Sequence, residues 1–185
     1  MKTIKILISL TLFLTTPSYS QINKGNWMVG GNASFNNNSN SLNDGPNVKS
    51  STFLVNPNIG YFLFDKFTTG IKTGLIIYLR KDSPSETGYN FGPYLRYYFL
   101  KQDKVLNLFL EGNYNYGRYN TTNSAVTNSY GFTAGPVIFL NSSVAIELGL
   151  NYSKLVSKQD IGFIQKNEQS NFSVLIGLQI HLEKQ

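Results

Sequence analysis

Cysteine is absent from this 185-residue chain, which removes disulfides, thiolate metal ligands and a cysteine nucleophile together. Histidine is nearly absent: His181 stands alone, too few imidazoles for a zinc site. A Ser-His-acid hydrolase would have to be built on His181, and no second histidine or Ser-acid pattern accompanies it. A lone histidine of this kind reads as a packed or rim residue. Charge is scarce too. Charged residues make up 14% of the chain, against about 25% in an ordinary soluble domain. The basic residues are scattered, with no run longer than the pair Arg80-Lys81, so nucleic acid is not a natural partner. Gly30-Gly31 and the Gly131–Gly135 stretch are followed by no helical pattern, which excludes a phosphate loop. The Asn-rich segment after Phe35 lacks the alternating aspartates of a calcium loop. These absences leave no expected cofactor, no metal site and no enzyme.

Long apolar runs are missing as well. The one candidate, Ile6–Leu14 (ILISLTLFL), is too short to span a bilayer as a helix. It follows Lys2 and Lys5 and precedes Ser18-Tyr19-Ser20, the order of charge, apolar core and small residues found in a secretory leader. Residues 1–20 are therefore expected to be a signal peptide, and 21–185 one exported domain. Two of the sixteen basic residues, Lys2 and Lys5, lie in the leader. Fourteen then remain against ten acidic residues, a net charge of +4.

What the chain has instead is alternation. In Val144–Tyr152 (VAIELGLNY), Val144, Ile146, Leu148, Leu150 and Tyr152 share one parity, while Ala145, Glu147, Gly149 and Asn151 share the other. A period of two means a β-strand with one apolar and one polar face. Eight such segments are expected, at 26–35, 52–63, 67–80, 88–99, 105–118, 130–140, 143–154 and 170–182. Each is long enough to cross a bilayer as a tilted strand. Tight turns are expected at Asp65-Lys66, Gln102-Asp103-Lys104 and Asn141-Ser142, and long polar loops at 36–51, 81–87, 119–129 and 157–169. Short turns at one end and long loops at the other describe an up-and-down membrane barrel. Pro57, Pro93 and Pro136 recur at matched places in a hairpin-length repeat, and a bulge or bend is expected at each.

Alternation alone fits a membrane barrel with its apolar face outward or a soluble lipocalin-like carrier with that face inward. The composition of the polar face favours the first. Asn32, Ser34, Asn113, Asn115, Asn171, Ser173 and Gly177 suit a cramped interior better than a solvated shell. The other face carries Ile71, Leu75, Ile77, Leu108, Val174, Ile176 and Leu178 without a charge. Its absence has a cause, because a basic residue at the bilayer midplane would cost about 2–4 kcal/mol. Aromatics gather in two belts: Tyr61, Phe67, Tyr97 and Phe99 near the short turns, and Tyr89, Phe91, Tyr114, Tyr116, Tyr130 and Tyr152 toward the long loops. Parity puts four charges inside, Lys72, Arg96, Glu111 and Glu147. They are expected to pair as a structural plug or, alternatively, to line a narrow polar path.

With this signal peptide, hairpins such as GPYLRYYFLKQDKVLNLFLEGNYNYG and the closing strand NFSVLIGLQIHL, the chain resembles the small outer-membrane β-barrel family of Gram-negative bacteria, the OmpA/OmpX-like, porin-family type. The resemblance implies an all-β, eight-stranded antiparallel up-and-down transmembrane barrel in the outer membrane. It implies outer-membrane lipids and the barrel assembly machinery as partners, and extracellular loops that could meet a surface or ligand. The expected role is structural or surface-interacting, with a narrow porin-like channel as the first alternative and the soluble periplasmic lipid carrier as the second.

Overall fold

The computed structural model describes residues 22–40, 48–80, 85–120, 125–160 and 164–183. The expected leader lies outside them. The alternating segments form eight strands: β1 (Trp27–Asn40), β2 (Val48–Phe64), β3 (Phe67–Arg80), β4 (Glu86–Tyr98), β5 (Leu106–Asn120), β6 (Ala125–Phe139), β7 (Val144–Asp160) and β8 (Ile164–Leu182). Each pairs antiparallel with its sequence neighbour, and β8 returns to β1, so the sheet closes as a barrel. Closure leaves no free sheet edge along the paired seam.

The faces sort as the alternation requires. Along β7, Ile146, Leu148, Leu150 and Tyr152 point outward and are exposed, while Ala145, Glu147 and Gly149 are buried in the lumen. The same holds for Ile71 and Leu75 outside against Lys72 and Gly74 inside on β3. A continuous apolar exterior of this extent is untenable in water. The lipocalin-like carrier is thereby overturned: its apolar face would have to line the lumen, and the lumen holds Arg96 and Glu111.

The turns are set by local chemistry. Between β2 and β3 the chain reverses over Asp65-Lys66, with Lys66 at φ 65°. The Asp65 carboxylate accepts the Lys24 N–H at 2.9 Å. Between β6 and β7, the Asn141 side-chain oxygen accepts the N–H groups of Ser143 and Val144, both at 2.8 Å, the turn role for which asparagine is favoured. Asn107 closes the β4–β5 turn by accepting from Leu100 N–H at 2.8 Å. Ile22 is fully buried beneath the barrel, and its carbonyl accepts the Lys66 N–H at 2.8 Å. The segment just before β1 therefore packs into the short-turn end.

Two expectations require correction. The prolines mark no bulge, because the register is unchanged on either side of each: Val55↔Leu75 and Asn58↔Lys72 flank Pro57, and Ala134↔Leu150 and Val137↔Glu147 flank Pro136. Each proline lacks the N–H that would face the following strand, so the ladder skips it without slipping. The one shift between β2 and β3 falls at Phe62/Phe64, beside the tight turn. The long loops are also shorter than expected. Most of 36–51, 119–129 and 157–169 is strand, since β1 reaches Asn40, β2 starts at Val48, β6 starts at Ala125, β7 reaches Asp160 and β8 starts at Ile164. At 81–87 strand resumes at Glu86. Where both faces of such an extension meet water, the period-two signal disappears although the hydrogen-bond ladder continues. Gln165 to Ser170, exposed at every position, shows this directly.

Candidate functional site

Arg96 is the centre of the lumen. It projects from β4 beside Glu111, its directly paired neighbour on β5. Its Nε and Nη2 donate to one Glu111 carboxylate oxygen at 3.0 and 2.7 Å. The other Glu111 oxygen accepts from Lys72 Nζ, reaching in from β3. Across the lumen, Arg96 Nη1 donates to Glu147 of β7, whose second oxygen accepts from Gln179 Nε2 of β8 at 3.2 Å. The four charges expected inside are thus brought into one network, with two positive and two negative members. All four are buried. Mutual pairing is what makes such burial tolerable, since an unpartnered ion in this setting is expensive.

Aromatic rings support the guanidinium. Arg96 lies 4.5 Å from the Phe109 ring centroid and 5.9 Å from that of Tyr98, whose hydroxyl also accepts from Nη1 at 3.1 Å. Toward the short turns the interior becomes apolar. Met28, Phe62, Tyr98, Phe109, Val137, Phe139 and Ala145 form a buried cluster with Ile22 below it. His181 packs within it, 5.4 Å from the Phe139 ring and 5.7 Å from that of Phe62, the packed position expected for it. Nothing in the alternation distinguishes these residues as a second, inner core. Ile22, before the first strand, carried no periodic signal at all.

Above the network the lumen widens into a vestibule of ≈ 280 Å³. Its wall is largely side-chain amides and hydroxyls, including Asn32, Asn56, Asn113 and Asn151, and Lys72 stands on its floor. Several of these groups bond one another: Asn56 donates to Asn32 at 2.8 Å, Asn115 to Asn113 at 3.0 Å and Asn151 to Thr133 at 2.9 Å. A cavity of only ≈ 10 Å³ touches Arg96, Glu111 and Glu147, about room for one water. The lumen is therefore a cup: polar and wide above, charged and tight at mid-height, apolar below.

The aromatic residues expected to form two belts stand on the outer face. Tyr97, Phe99, Tyr89, Phe91, Tyr114, Tyr116, Tyr130 and Tyr152 are exposed, whereas Tyr61 and Phe67 are half-buried. Tyr61 is covered by Trp27, its rung partner on β1, at 5.1 Å between centroids. Trp27, Phe35, Phe53, Phe64, Phe132 and Phe172 are further exposed aromatics of this face. Tyr114 and Tyr152 donate from their hydroxyls to Asn128 and Ser170 at 2.6 and 3.4 Å, the polar end of each ring turned to polar neighbours.

An eight-stranded closed barrel, apolar outside and filled by polar and charged side chains inside, is the fold of the small outer-membrane β-barrels. No protein-family model matches this chain, and no curated protein matches it in sequence. Among solved structures it is similar to Neisserial surface protein A (NspA), with a TM-score of 0.59 and 16% identity over 85% of this chain and 97% of that one. It is also similar to the outer membrane protein OprG from Pseudomonas aeruginosa, with a TM-score of 0.50 and 11% identity over 90% of this chain and 100% of that one. These likenesses are of fold.

Proposed function

We propose that this protein is an integral outer-membrane barrel with a sealed lumen, serving a structural or surface-interaction role through its loop-side end, without catalysis. The observation that carries this reading is the plug: Lys72, Arg96, Glu111 and Glu147 tie β3, β4, β5 and β7 together across the lumen, directly above an apolar floor. A path for solutes would have to break three buried ion pairs and part the aromatic cluster. Outer-membrane lipids and the barrel assembly machinery are the partners this reading entails, and the extensions above the loop-side belt are its contact surface. Recordings in planar bilayers test it. No steady unitary conductance is expected from the intact protein. A steady conductance that shifts when Arg96 or Glu147 is replaced would overturn it in favour of a narrow channel. The vestibule ending on Lys72 is the one feature that favours that second reading.

A further inference from the structure

We infer that the vestibule also opens sideways, through the upper part of the β1–β8 seam, and that this window takes a single-chain amphiphile. Its hydrocarbon tail would lie in a groove on the outer wall and its uncharged hydroxyl- or amide-bearing head in the vestibule. This goes beyond a sealed structural barrel and rests only on the barrel's standing in a bilayer.

Three observations meet at one place. The first is the seam itself. Its ladder runs from Trp27↔Leu182 up to Ala33↔Ile176, and no higher rung joins these strands among the described residues. Both strands nevertheless continue, β1 paired with β2 as far as Asn40↔Val48 and β8 paired with β7 as far as Asp160↔Ile164. Ile176 lies four residues below Phe172, whose rung partner Tyr152 belongs to the loop-side belt. Four residues span about 13 Å along a strand, so the ladder ends inside the apolar band. Backbone groups released at that depth are tolerated only where protein or a water-filled cavity covers them.

The second observation is that the vestibule reaches this gap. Phe172 belongs by parity to the outer face and is 70% exposed, yet it lines the vestibule. The third lies on the lipid side. A groove of ≈ 450 Å³ runs over the closed part of the seam, walled by Ala33, Val55, Pro57, Ile146, Ile176 and Leu178. Its size falls within the range of ligand pockets. Small residues make it: Gly31 and Ala33 stand on β1 between the larger side chains of β2 and β8. Asn32, one rung below the end of the ladder, lines both the groove and the vestibule, so the two compartments lie on either side of the wall just beneath the gap.

The chemistry of the occupant follows from the two walls. The groove offers almost nothing but apolar contact, which suits an alkyl chain. The vestibule offers amides and hydroxyls that both donate and accept. Among the described residues of its wall the one cation is Lys72, and it is committed to Glu111, so the wall offers a head hydrogen bonds rather than a free charge.

The test uses the full chain in lipid nanodiscs and a hexadecyl glucoside carrying a diazirine at mid-chain, with cross-links mapped by mass spectrometry. Cross-links are expected to concentrate on Val55, Ile146, Ile176 and Leu178, with Leu108 on β5 serving as the lipid-facing baseline. Ala33→Trp fills the groove at an exposed position. It should cut groove labelling about tenfold, the equivalent of removing two methylene contacts, and leave Leu108 unchanged. Val55→Trp, on the opposite wall, should do the same, and a heat-dependent gel shift confirms that each variant is folded. Labelling spread evenly over all outward residues, or folded variants that label like the parent, would overturn the inference. Probe built into the bilayer and probe added from the loop side separate the sources. Labelling with only the first assigns the site to a membrane lipid, and labelling with only the second to an external amphiphile; both outcomes support the window. Unitary conductance reads the plug and is independent of either result.

Discussion

Replacing Arg96 with methionine separates a plug held by charge from one held by shape. Methionine keeps much of the side-chain volume but removes the donors that serve two carboxylates. The two glutamates are left in different states. Glu111 retains Lys72, while Glu147 retains only the neutral Gln179 amide and becomes a buried anion without a cation. Removing one partner of a buried pair costs about 3–5 kcal/mol, most of it from the charge left behind. Unfolding in urea, followed by the fluorescence of Trp27, the chain's single tryptophan, gives the readout. At about 1–3 kcal/mol per molar urea, the midpoint should fall by at least about 1 M. Adding Glu147→Gln removes the stranded anion, so Arg96→Met/Glu147→Gln should recover about 2 kcal/mol of the loss despite carrying one more substitution. Glu147→Gln alone leaves Arg96 bonded to Glu111 and should cost about 1–3 kcal/mol. A single variant as stable as the parent, or a double variant no better than the single, would refute the reasoning.

Two further predictions concern close packing and pH. A Cβ at Gly92 would fall inside contact distance of the Tyr114 carbonyl oxygen, and one at Gly135 inside that of Leu148. Gly92→Ala and Gly135→Ala should therefore each lower the free energy of unfolding by about 1–3 kcal/mol. Gly112→Ala, whose nearest neighbour would be the Phe132 ring at 3.5 Å, should be silent; equal effects at all three sites would count against the backbone approach. Above the loop-side belt, hydrogen bonds from Lys154 first and Lys166 second hold the exposed Glu168 carboxyl down to about 2 from its ordinary 4.5. Because the folded value is depressed, the contribution of this bridge is complete above about pH 4.5 and is lost as pH falls through about 2. A carboxyl-carbon NMR titration should place the Glu168 midpoint near the lower value, and Lys154→Ala should raise it. A midpoint near the ordinary value in the parent would remove the bridge from solution.

The membrane-depth part of the barrel was legible because it faces two different solvents. Ile71 and Lys72, or Leu148 and Glu147, contrast so sharply that parity alone assigns their faces. Arg96, Glu111, Lys72 and Glu147 could be placed in one lumen for the same reason, and the register then brings Arg96 opposite Glu111. Above the aromatic belt that contrast vanishes. Gln165–Ser170 is strand, yet water on both faces leaves it with the composition of a loop. The inner apolar floor was hidden differently. Phe62, Tyr98 and Phe139 sit near strand ends, where an inward aromatic and an interfacial one differ only in parity, and the Phe62/Phe64 irregularity disturbs parity at that point. The ladder's early end between β1 and β8 joins the first and last strands, and no local pattern encodes where such a pairing stops.

A chain without cysteine makes the most direct test of outward apolar facing simple. Single cysteines placed in turn at Ile146, Glu147, Leu148, Gly149 and Leu150 can carry a nitroxide in lipid bilayers, with collision rates measured against oxygen and a water-soluble nickel chelate. Positions 146, 148 and 150 should meet oxygen and exclude nickel, while 147 and 149 should be shielded from both. Lipid-like oxygen access at 147 and 149, with 146, 148 and 150 shielded, would turn the barrel inside out and contradict the account.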